Sequence, residues 1–183
     1  MILPIYAYGT PVLRKKAQDI DAQYPDLPQL LSNMWETMYE SDGIGLAAPQ
    51  IGLDIRLFVI DGSEIEGIEP AGFKQAFINA QILEETGTEW EYEEGCLSIP
   101  FIRANVKRHS LLTIRYWDEN FQEHTQTFDG MAARIIQHEY DHIEGILFTD
   151  RIAPLKRQML KNKLKSLSEG RVNAPYKMKF AKR

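Results

Sequence analysis

The residues with the clearest chemical potential form the run His138-Glu139-Tyr140-Asp141-His142, an HExxH motif. Residues four apart in a helix lie on one face, about 6 Å apart along the axis, so His138 and His142 can bind one metal ion. Glu139 then lies beside the ion and can exchange protons with a metal-bound water molecule. Coordination to the metal lowers the pKa of that water toward about 7. The motif therefore predicts a metallohydrolase. The alternative is an ordinary helix whose histidines form hydrogen bonds.

The surroundings of the motif favour the metal site. A helix is predicted over residues 131–143, with Asp129 as its N-cap and Gly145 at its end. Its apolar face includes both histidines: Met131, Ala132, Ile135, His138 and His142. Two neutral histidines in a core need polar partners, and a metal ion supplies one partner to both.

A hydrolytic metal site usually has three protein ligands and one position open for water, so a third ligand must come from elsewhere in the chain. Cys96 is the chain's single cysteine and follows a strand-like run and a glycine, which can aim its side chain. Alone it is typical of a small buried residue, but beside HExxH a thiolate ligand is the better hypothesis. The rival is a downstream carboxylate, as in thermolysin-like peptidases. Three acids are candidates for this carboxylate: Glu144, Asp150 and Glu169. Glu144 is too close to His142 in the sequence.

The elements that position these residues begin with an amphipathic helix, predicted from the apolar spacing between Leu27 and Met38. Asp42-Gly43 is expected to end it, with the glycine in the left-handed conformation. The segment 43–50 (GIGLAAPQ) is small, apolar and irregular, and its glycines let backbone approach a ligand closely.

A strand-rich middle follows. Strands are predicted at 55–60, 75–84, 88–93, 105–117 and 121–128. Residues 118–120 are predicted to turn a hairpin, and residues 63–73 to form an exposed loop. A final helix is predicted from Pro154 to Glu169, with one apolar face: Leu155, Met159, Leu160, Leu164 and Leu167. Together these helices and strands predict an α+β fold, with mixed or antiparallel sheets around a central HExxH helix.

Composition limits the class of protein. At 183 residues, with 44% hydrophobic and 26% charged residues, the chain fits one compact domain and excludes wholesale disorder, collagen and coiled-coil arrays. Its apolar runs are too short for a membrane span, and its start lacks the features of a signal peptide. We therefore expect a cytoplasmic protein.

The charge is unevenly distributed. Residues 151–183 contain 11 Lys/Arg and one acid, whereas residues 1–150 contain 10 bases and 25 acids. The basic residues can simply balance the acidic body on a solvated helix face. They can also attract ribosomal RNA. We expect no membrane and no DNA partner.

Three segments together resemble the motifs of the peptide deformylase family: residues 43–50 (GIGLAAPQ), 94–98 (EGCLS) and 137–142 (QHEYDH). The resemblance covers roughly residues 2–168, and we expect a single catalytic domain over 1–168 that includes the helix 154–169. Residues 170–183 then form a basic C-terminal extension. The chain departs from the family pattern at Ala80, where many members have proline, and at Phe101, where many have glycine.

The resemblance implies that the protein removes the formyl group from the N-terminal formyl-methionine of nascent polypeptides and releases formate. It implies three metal ligands, Cys96, His138 and His142, with Glu139 as the acid/base. Gln50 and the backbone N–H of Leu97 would hold the carbonyl oxygen. The implied metal is Fe²⁺, for which Zn²⁺, Ni²⁺ or Co²⁺ can substitute.

The residues around the motif suggest a substrate pocket. Five of them are candidates for a slot that accepts a methionine side chain: Ile44, Gly45, Met131, Arg134 through its methylenes, and Ile135. Taken singly, each is more typical of plain core packing. Glu94 is expected to orient the site through an arginine, with Arg103 and Arg108 both open, and Asp141 is expected to face the surface.

Two other hypotheses belong to different classes. One is an HExxH endopeptidase with a carboxylate as third ligand. The other is a non-enzymatic module that is stabilised by metal or binds RNA. Release of formate from a formyl-methionine peptide distinguishes all three.

Overall fold

The computed structural model describes residues 1–181 and consists of seven strands and three α-helices in those residues. In chain order they are β1 (Ile5–Tyr6), α1 (Leu27–Glu40), β2 (Gly45–Ala47), β3 (Leu57–Asp61), β4 (Lys74–Cys96), β5 (Ile99–Trp117), β6 (Glu123–Asp129), α2 (Gly130–Ile143), α3 (Pro154–Ser168) and β7 (Met178–Lys179). Strands β2-β3-β4-β5-β6 form one antiparallel sheet in that order. The predicted α+β class is confirmed.

The long hairpin β4–β5 carries the cysteine. Two strands with a gap were predicted at 75–84 and 88–93, but the structure has one continuous strand. The residues between the two predicted strands form a bulge within this strand: Gly87 has φ +78° and the register shifts between Thr86 and Glu89. At the far end Cys96 pairs with Ile99, so Leu97 and Ser98 form the tight turn of the hairpin.

Helix α2 contains the HExxH motif and packs on the central sheet. The predicted N-cap is confirmed, because the Asp129 carboxylate accepts a hydrogen bond from the Gly130 N–H at 2.6 Å. Gly145, with φ +75°, lies just after the helix. The buried apolar residues of α2 join the sheet in one core cluster: Ala132, Ala133, Ile136 and Ile143.

The end of α1 differs from the prediction in one respect. Asp42, not Gly43, adopts the left-handed conformation, with φ +55°. Aspartate tolerates this region better than most residues. Gly43 serves a different purpose, because a Cβ there would lie 2.8 Å from Leu97 Cδ1. It lets the chain pass close to the turn that carries Cys96.

Two further predictions were partly wrong. In α3, Leu160, Leu164 and Leu167 are buried, but Leu155 and Met159 are each 70% exposed, because this face of the first turns is left uncovered. The segment 63–73 is a loop without regular structure, as predicted, yet Ile68 and Phe73 are buried in the core beside the sheet. Apolar residues within an acidic loop thus anchor it.

The two ends of the chain meet. β1 and β7 pair in parallel as a two-stranded sheet, with Ile5 opposite Met178. The Tyr8 N–H donates to the Ser98 carbonyl at 2.9 Å, so the N-terminal segment also reaches the β4–β5 turn. None of the helices in residues 1–181 has the length and hydropathy that a membrane crossing requires.

Candidate active site

A cleft of about 520 Å³ opens between the β4–β5 turn, helix α2 and the segment before β2. It is lined by nearly every residue that the sequence predicted for the site: Ile44, Gly45, Gln50, Cys96, Leu97, Met131, Arg134, Ile135, His138 and Glu139. His142 lies behind them and is buried. The structure therefore brings the three motifs, which are distant in sequence, to one place.

The three predicted metal ligands lie together. One ligand atom each from Cys96, His138 and His142 lie within 4.8 Å of one another, and Cys96 Sγ is 3.4 Å from His142 Nε2. Helical periodicity places the two imidazoles on one face, edge to face with ring centroids 5.3 Å apart, and the end of β4 brings the thiol to them. This is the one such group of His, Cys and acidic residues found within residues 1–181.

The rival carboxylates have other partners. Glu144 pairs with Arg56 at 2.7 Å, and Asp150 accepts hydrogen bonds from Arg14 and from the backbone of Leu147. Glu169 pairs with the nearby Arg171. A carboxylate third ligand, as in the endopeptidase hypothesis, has no support from this arrangement.

Glu94 is the centre of a buried ionic network. Its Oε1 lies 2.8 Å from His138 Nδ1, while Arg108 and Arg134 donate to the same carboxylate at 2.7 Å. Burial alone would raise the pKa of Glu94, but hydrogen bonds from His138 and Arg108 outweigh it and hold that pKa well below its ordinary range. The bond to Glu94 occupies Nδ1, so His138 presents Nε2 to the cleft.

The sequence left open whether Arg103 or Arg108 pairs with Glu94. In the structure Arg108 does so, whereas Arg103 pairs with the exposed Glu93 at 3.1 Å. The expectation that Asp141 faces the surface is wrong. Asp141 is only 4% exposed and accepts hydrogen bonds from Arg108 at 2.9 Å and Arg151 at 2.6 Å. A carboxylate in this position compensates the buried guanidinium of Arg108, a need that the sequence pattern does not reveal.

The two imidazoles have opposite proton affinities. Burial lowers the pKa of His138, but hydrogen bonds with Cys96 and Glu94 more than compensate and hold that pKa well above its ordinary value. Burial, and then the positive charge on His138, lower the pKa of His142 well below its ordinary value. One protonated imidazole is therefore favoured over two.

Glu139 is buried beside the ligands. Burial raises the pKa of its carboxyl group to about 7, where it can both accept and donate a proton near neutral pH. Its Oε2 is buried without a hydrogen-bond partner among the described residues, as is Nδ1 of His142. Gly45 makes room for this carboxylate, because a Cβ there would lie 2.4 Å from Glu139 Oε1.

The orientation of the Gln50 amide is fixed by its neighbours. The Ala47 backbone N–H donates to Gln50 Oε1 at 2.9 Å, so the amide nitrogen must face the other way. Gln50 Nε2 lies 3.5 Å from Cys96 Sγ and 3.3 Å from Ser98 Oγ. A hydrogen-bond donor thus points towards the thiol from the wall of the cleft.

The apolar part of the cleft contains the arginine that the sequence predicted there. Met131 and Ile135 are half-buried and Ile44 is exposed at the rim. Arg134 is only 2% exposed, and its guanidinium donates to Glu94 and to the Trp90 carbonyl, 4.2 Å from the Trp90 ring. Arg134 lies one helical turn before His138, and that spacing was the available signal that both side chains reach Glu94.

Comparison with known proteins identifies the family. The profile of the family described as Polypeptide deformylase matches residues 2–158. The chain belongs to the peptide deformylase family. It is 54% identical to a peptide deformylase of Christiangramia forsetii over 98% of this chain and 96% of that protein. It is 53% identical to the Flavobacterium johnsoniae peptide deformylase over 99% of this chain and 97% of that protein.

Solved structures agree with this assignment. A peptide deformylase from Legionella pneumophila superposes with a TM-score of 0.81 at 36% identity, covering 96% of this chain and 100% of that one. That from Thermotoga maritima has a TM-score of 0.76 at 38% identity, covering 84% and 99%. The chain is a metal-dependent hydrolase that removes the formyl group from the N-terminal formyl-methionine of nascent chains. The endopeptidase and non-enzymatic hypotheses are therefore wrong.

Proposed function

We propose that Cys96, His138 and His142 bind one Fe²⁺ ion at which deformylation takes place. The donor set supports this assignment, since imidazole suits iron, nickel and zinc and a thiolate adds a soft ligand. The unpartnered Glu139 Oε2, buried beside these residues, also fits a site that is completed by a cation and water. When bound, the ion supplies a Lewis acid that increases the acidity of water and polarises a carbonyl.

The residues of the chain then have distinct roles. Glu139 accepts a proton from the water that attacks the formyl carbon and passes it to the amine nitrogen as the C–N bond breaks, so that formate and a free N-terminus result. The amide of Gln50 and the backbone N–H of Leu97 donate hydrogen bonds to the carbonyl oxygen as negative charge develops on it. Each such donor typically contributes about 2.7–4 kcal/mol to transition-state stabilisation.

The methionine side chain is proposed to enter the cleft beside α2. Ile44, Met131 and Ile135 supply apolar contacts, and the Arg134 stem extends the same surface while its guanidinium is held by Glu94. Gly45 brings backbone close to Glu139 at this point. An unbranched side chain suits such a slot.

Steady-state measurement of formate release from a formyl-methionine peptide tests the residue roles. Cys96→Ser should lose both bound metal and activity. Glu139→Gln should retain the metal and lose about 10²–10⁴-fold in kcat, the usual contribution of a general acid/base. Glu144→Gln, which changes the acid paired with Arg56, is the matched control and should retain activity. Full metal content and activity in Cys96→Ser would refute the ligand assignment.

The identity of the metal needs a separate measurement. Protein purified without oxygen and without added metal should contain about one equivalent of iron. Exposure to air should then reduce activity as iron or the thiolate is oxidised, while zinc-loaded protein should retain its lower activity. Zinc as the dominant metal in the anaerobic preparation would contradict the iron assignment.

We also propose that the basic face of α3 contacts ribosomal RNA, which would place the enzyme in the cytoplasm near its substrate. Five basic residues of α3 are exposed: Lys156, Arg157, Lys161, Lys163 and Lys165. Reversing Lys161 and Lys165 to Glu should reduce co-sedimentation with ribosomes at low salt, because phosphate contacts release counterions. Reversing Lys74 and Lys107, away from α3, is the control. Equal co-sedimentation of both variants would contradict the proposal.

A further inference from the structure

The turn that carries Cys96 is held from outside the sheet by the two ends of the chain. The Tyr8 N–H donates to the Ser98 carbonyl at 2.9 Å, and the Tyr176 hydroxyl donates to the Leu97 carbonyl at 2.8 Å. Leu97 and Ser98 are the two residues of that turn. Each therefore has a backbone carbonyl bonded to a residue that is distant in sequence.

Tyr176 reaches this place because the C-terminal segment folds back over the cleft. β7, two residues further on, is fixed to β1: the Ile5 N–H donates to the Lys177 carbonyl at 2.8 Å and the Ala7 N–H to the Lys179 carbonyl at 2.9 Å. The Tyr176 ring is partly buried against the same core cluster as Leu97. Both Pro175 and Tyr176 line the cleft itself.

The Tyr176 hydroxyl is available as a donor throughout the working pH range. Burial, and then the proximity of Cys96, raise the pKa of the phenol above its ordinary value. A backbone carbonyl can only accept a hydrogen bond, so the direction of this bond is fixed. The proton of Tyr176 therefore points at the turn.

We propose that Tyr176 is a positioning residue for deformylation: its bond to the Leu97 carbonyl holds the Leu97–Ser98 peptide, and this restrains the adjoining Cys96–Leu97 peptide, so that the Leu97 N–H and the Cys96 side chain keep their aim into the cleft. This inference rests on the roles proposed above for Leu97 and Cys96. Tyr176 acts through Leu97 and needs no contact with the reacting atoms.

The physical reason is the freedom of a two-residue turn. The hairpin ladder holds the turn only through Cys96 and Ile99, so the Leu97–Ser98 peptide plane can rotate unless its carbonyl is bonded. The Leu97 N–H lies in the preceding peptide plane, which shares the Leu97 Cα and moves with this rotation. Displacement of a catalytic group by about 1 Å can cost about 10²-fold in rate. Loss of one hydrogen bond to a turn that Tyr8 still holds should cost less, about 5- to 20-fold in kcat.

Comparison of Tyr176→Phe with Tyr6→Phe tests the proposal in the full-length, metal-loaded enzyme. Each variant removes one hydroxyl and keeps the ring, and Tyr6 is bonded to Lys179 Nζ at 3.0 Å in the same β1–β7 region. Tyr176→Phe should lower kcat for a formyl-methionine peptide about 5- to 20-fold with KM within about twofold. Tyr6→Phe should leave both constants unchanged. Thermal unfolding of both variants checks that each is folded.

A second measurement does not depend on activity. In metal-free protein, iodoacetamide should alkylate Cys96 about 3- to 10-fold faster in Tyr176→Phe than in the parent or in Tyr6→Phe, because the turn is less restrained. Values of kcat and alkylation rate in Tyr176→Phe that equal those in Tyr6→Phe would overturn the inference. Absence of formate release by the parent enzyme would instead refute the proposed function, and the alkylation rates would still decide whether Tyr176 restrains the turn.

Discussion

At the scale of single residues, Glu94 links the reacting centre to the protein interior. One carboxylate contacts His138, Arg108 and Arg134, and all four side chains are largely or fully buried. Its single charge is shared between two guanidinium groups, and its Oε1 fixes the ring of a proposed ligand. Partners of this kind typically contribute 10- to 100-fold to metal affinity.

Replacing Glu94, with its sequence neighbour Glu93 as the control, tests this link. Glu94→Gln leaves the buried Arg134 without a carboxylate partner and leaves Arg108 with Asp141 alone, so it should lower the free energy of unfolding by about 3–5 kcal/mol. Metal affinity should fall about 10- to 100-fold. Urea unfolding and metal titration measure the two effects.

Glu93→Gln is the matched control. Glu93 and its partner Arg103 are each 59% exposed, so this ion pair contributes at most about 1 kcal/mol. Equal losses of stability in the two variants would contradict the assignment of Glu94 as the centre of the network.

Phe101 shows strain at a single residue. It is 71% exposed at the rim of the cleft and has φ +64°, the left-handed region that favours glycine. This conformation costs about 1–2 kcal/mol for a residue with a Cβ. Phe101→Gly should therefore be about 1 kcal/mol more stable than Phe101→Ala in urea unfolding, although glycine usually destabilises a strand. An alanine variant at least as stable as the glycine variant would show that the backbone is not strained there.

At the scale of elements, Asp150 connects the short helix at residues 11–14 with the segment after α2. Its carboxylate accepts hydrogen bonds from Arg14 and from the Leu147 N–H at 2.9 Å. Burial alone would raise the pKa of Asp150, but these bonds outweigh it and lower the pKa below its ordinary value. The ionised form is therefore bound more favourably in the folded state.

This shift predicts a pH-dependent contribution to stability. Because the folded pKa is depressed, the contribution is complete above the unfolded pKa of about 3.9 and is lost as the pH falls through the folded value. Asp150→Asn should be about 1 kcal/mol less stable than the parent at pH 6, and the difference should shrink at pH 3. Urea unfolding at both pH values measures it. Glu119→Gln, in an exposed turn, should show no difference at either pH, and a difference for Asp150→Asn that is larger at pH 3 would refute the prediction.

The elements differ in how far the sequence predicts them. Helix α2 was predicted almost to the residue, because apolar periodicity, the Asp129 cap and Gly145 agree. The exposure of Leu155 and Met159 could not be predicted, since an apolar stripe does not say how much of a helix the body covers. β1 and β7 contain two residues each, too few for any periodicity, and their pairing depends on the whole chain.

The same distinction holds within the site. Spacing predicted the two histidines and Glu139, and the resemblance supplied Gln50 and the Leu97 N–H. The burial of Asp141 and the approach of Tyr176 have no local signal, because each depends on a partner from a distant strand or chain end. Long-range electrostatic and backbone contacts are the part that sequence periodicity does not encode.

At the scale of the whole molecule, the proposed ligands join two parts of the core. The α2 residues pack in the cluster with the central sheet, whereas Cys96 contacts the cluster that contains α3 and the start of β5. A bound ion would therefore connect the end of the hairpin to the central helix. Separation of these two clusters would then require loss of the ion, which would couple metal binding to global unfolding.

Removal of the metal should consequently lower the stability of the whole fold. A ligand that binds only the folded state stabilises it by about 2.7 kcal/mol when its free concentration is 100 times Kd. For a chain of this size that free energy corresponds to about 5–10 °C in Tm. Calorimetry with and without a chelator should show this difference in the parent and none in Cys96→Ser, which lacks the thiolate that connects the hairpin to α2. An equal chelator effect in Cys96→Ser would mean that the two histidines bind the metal without Cys96, and that the ion does not join the two clusters.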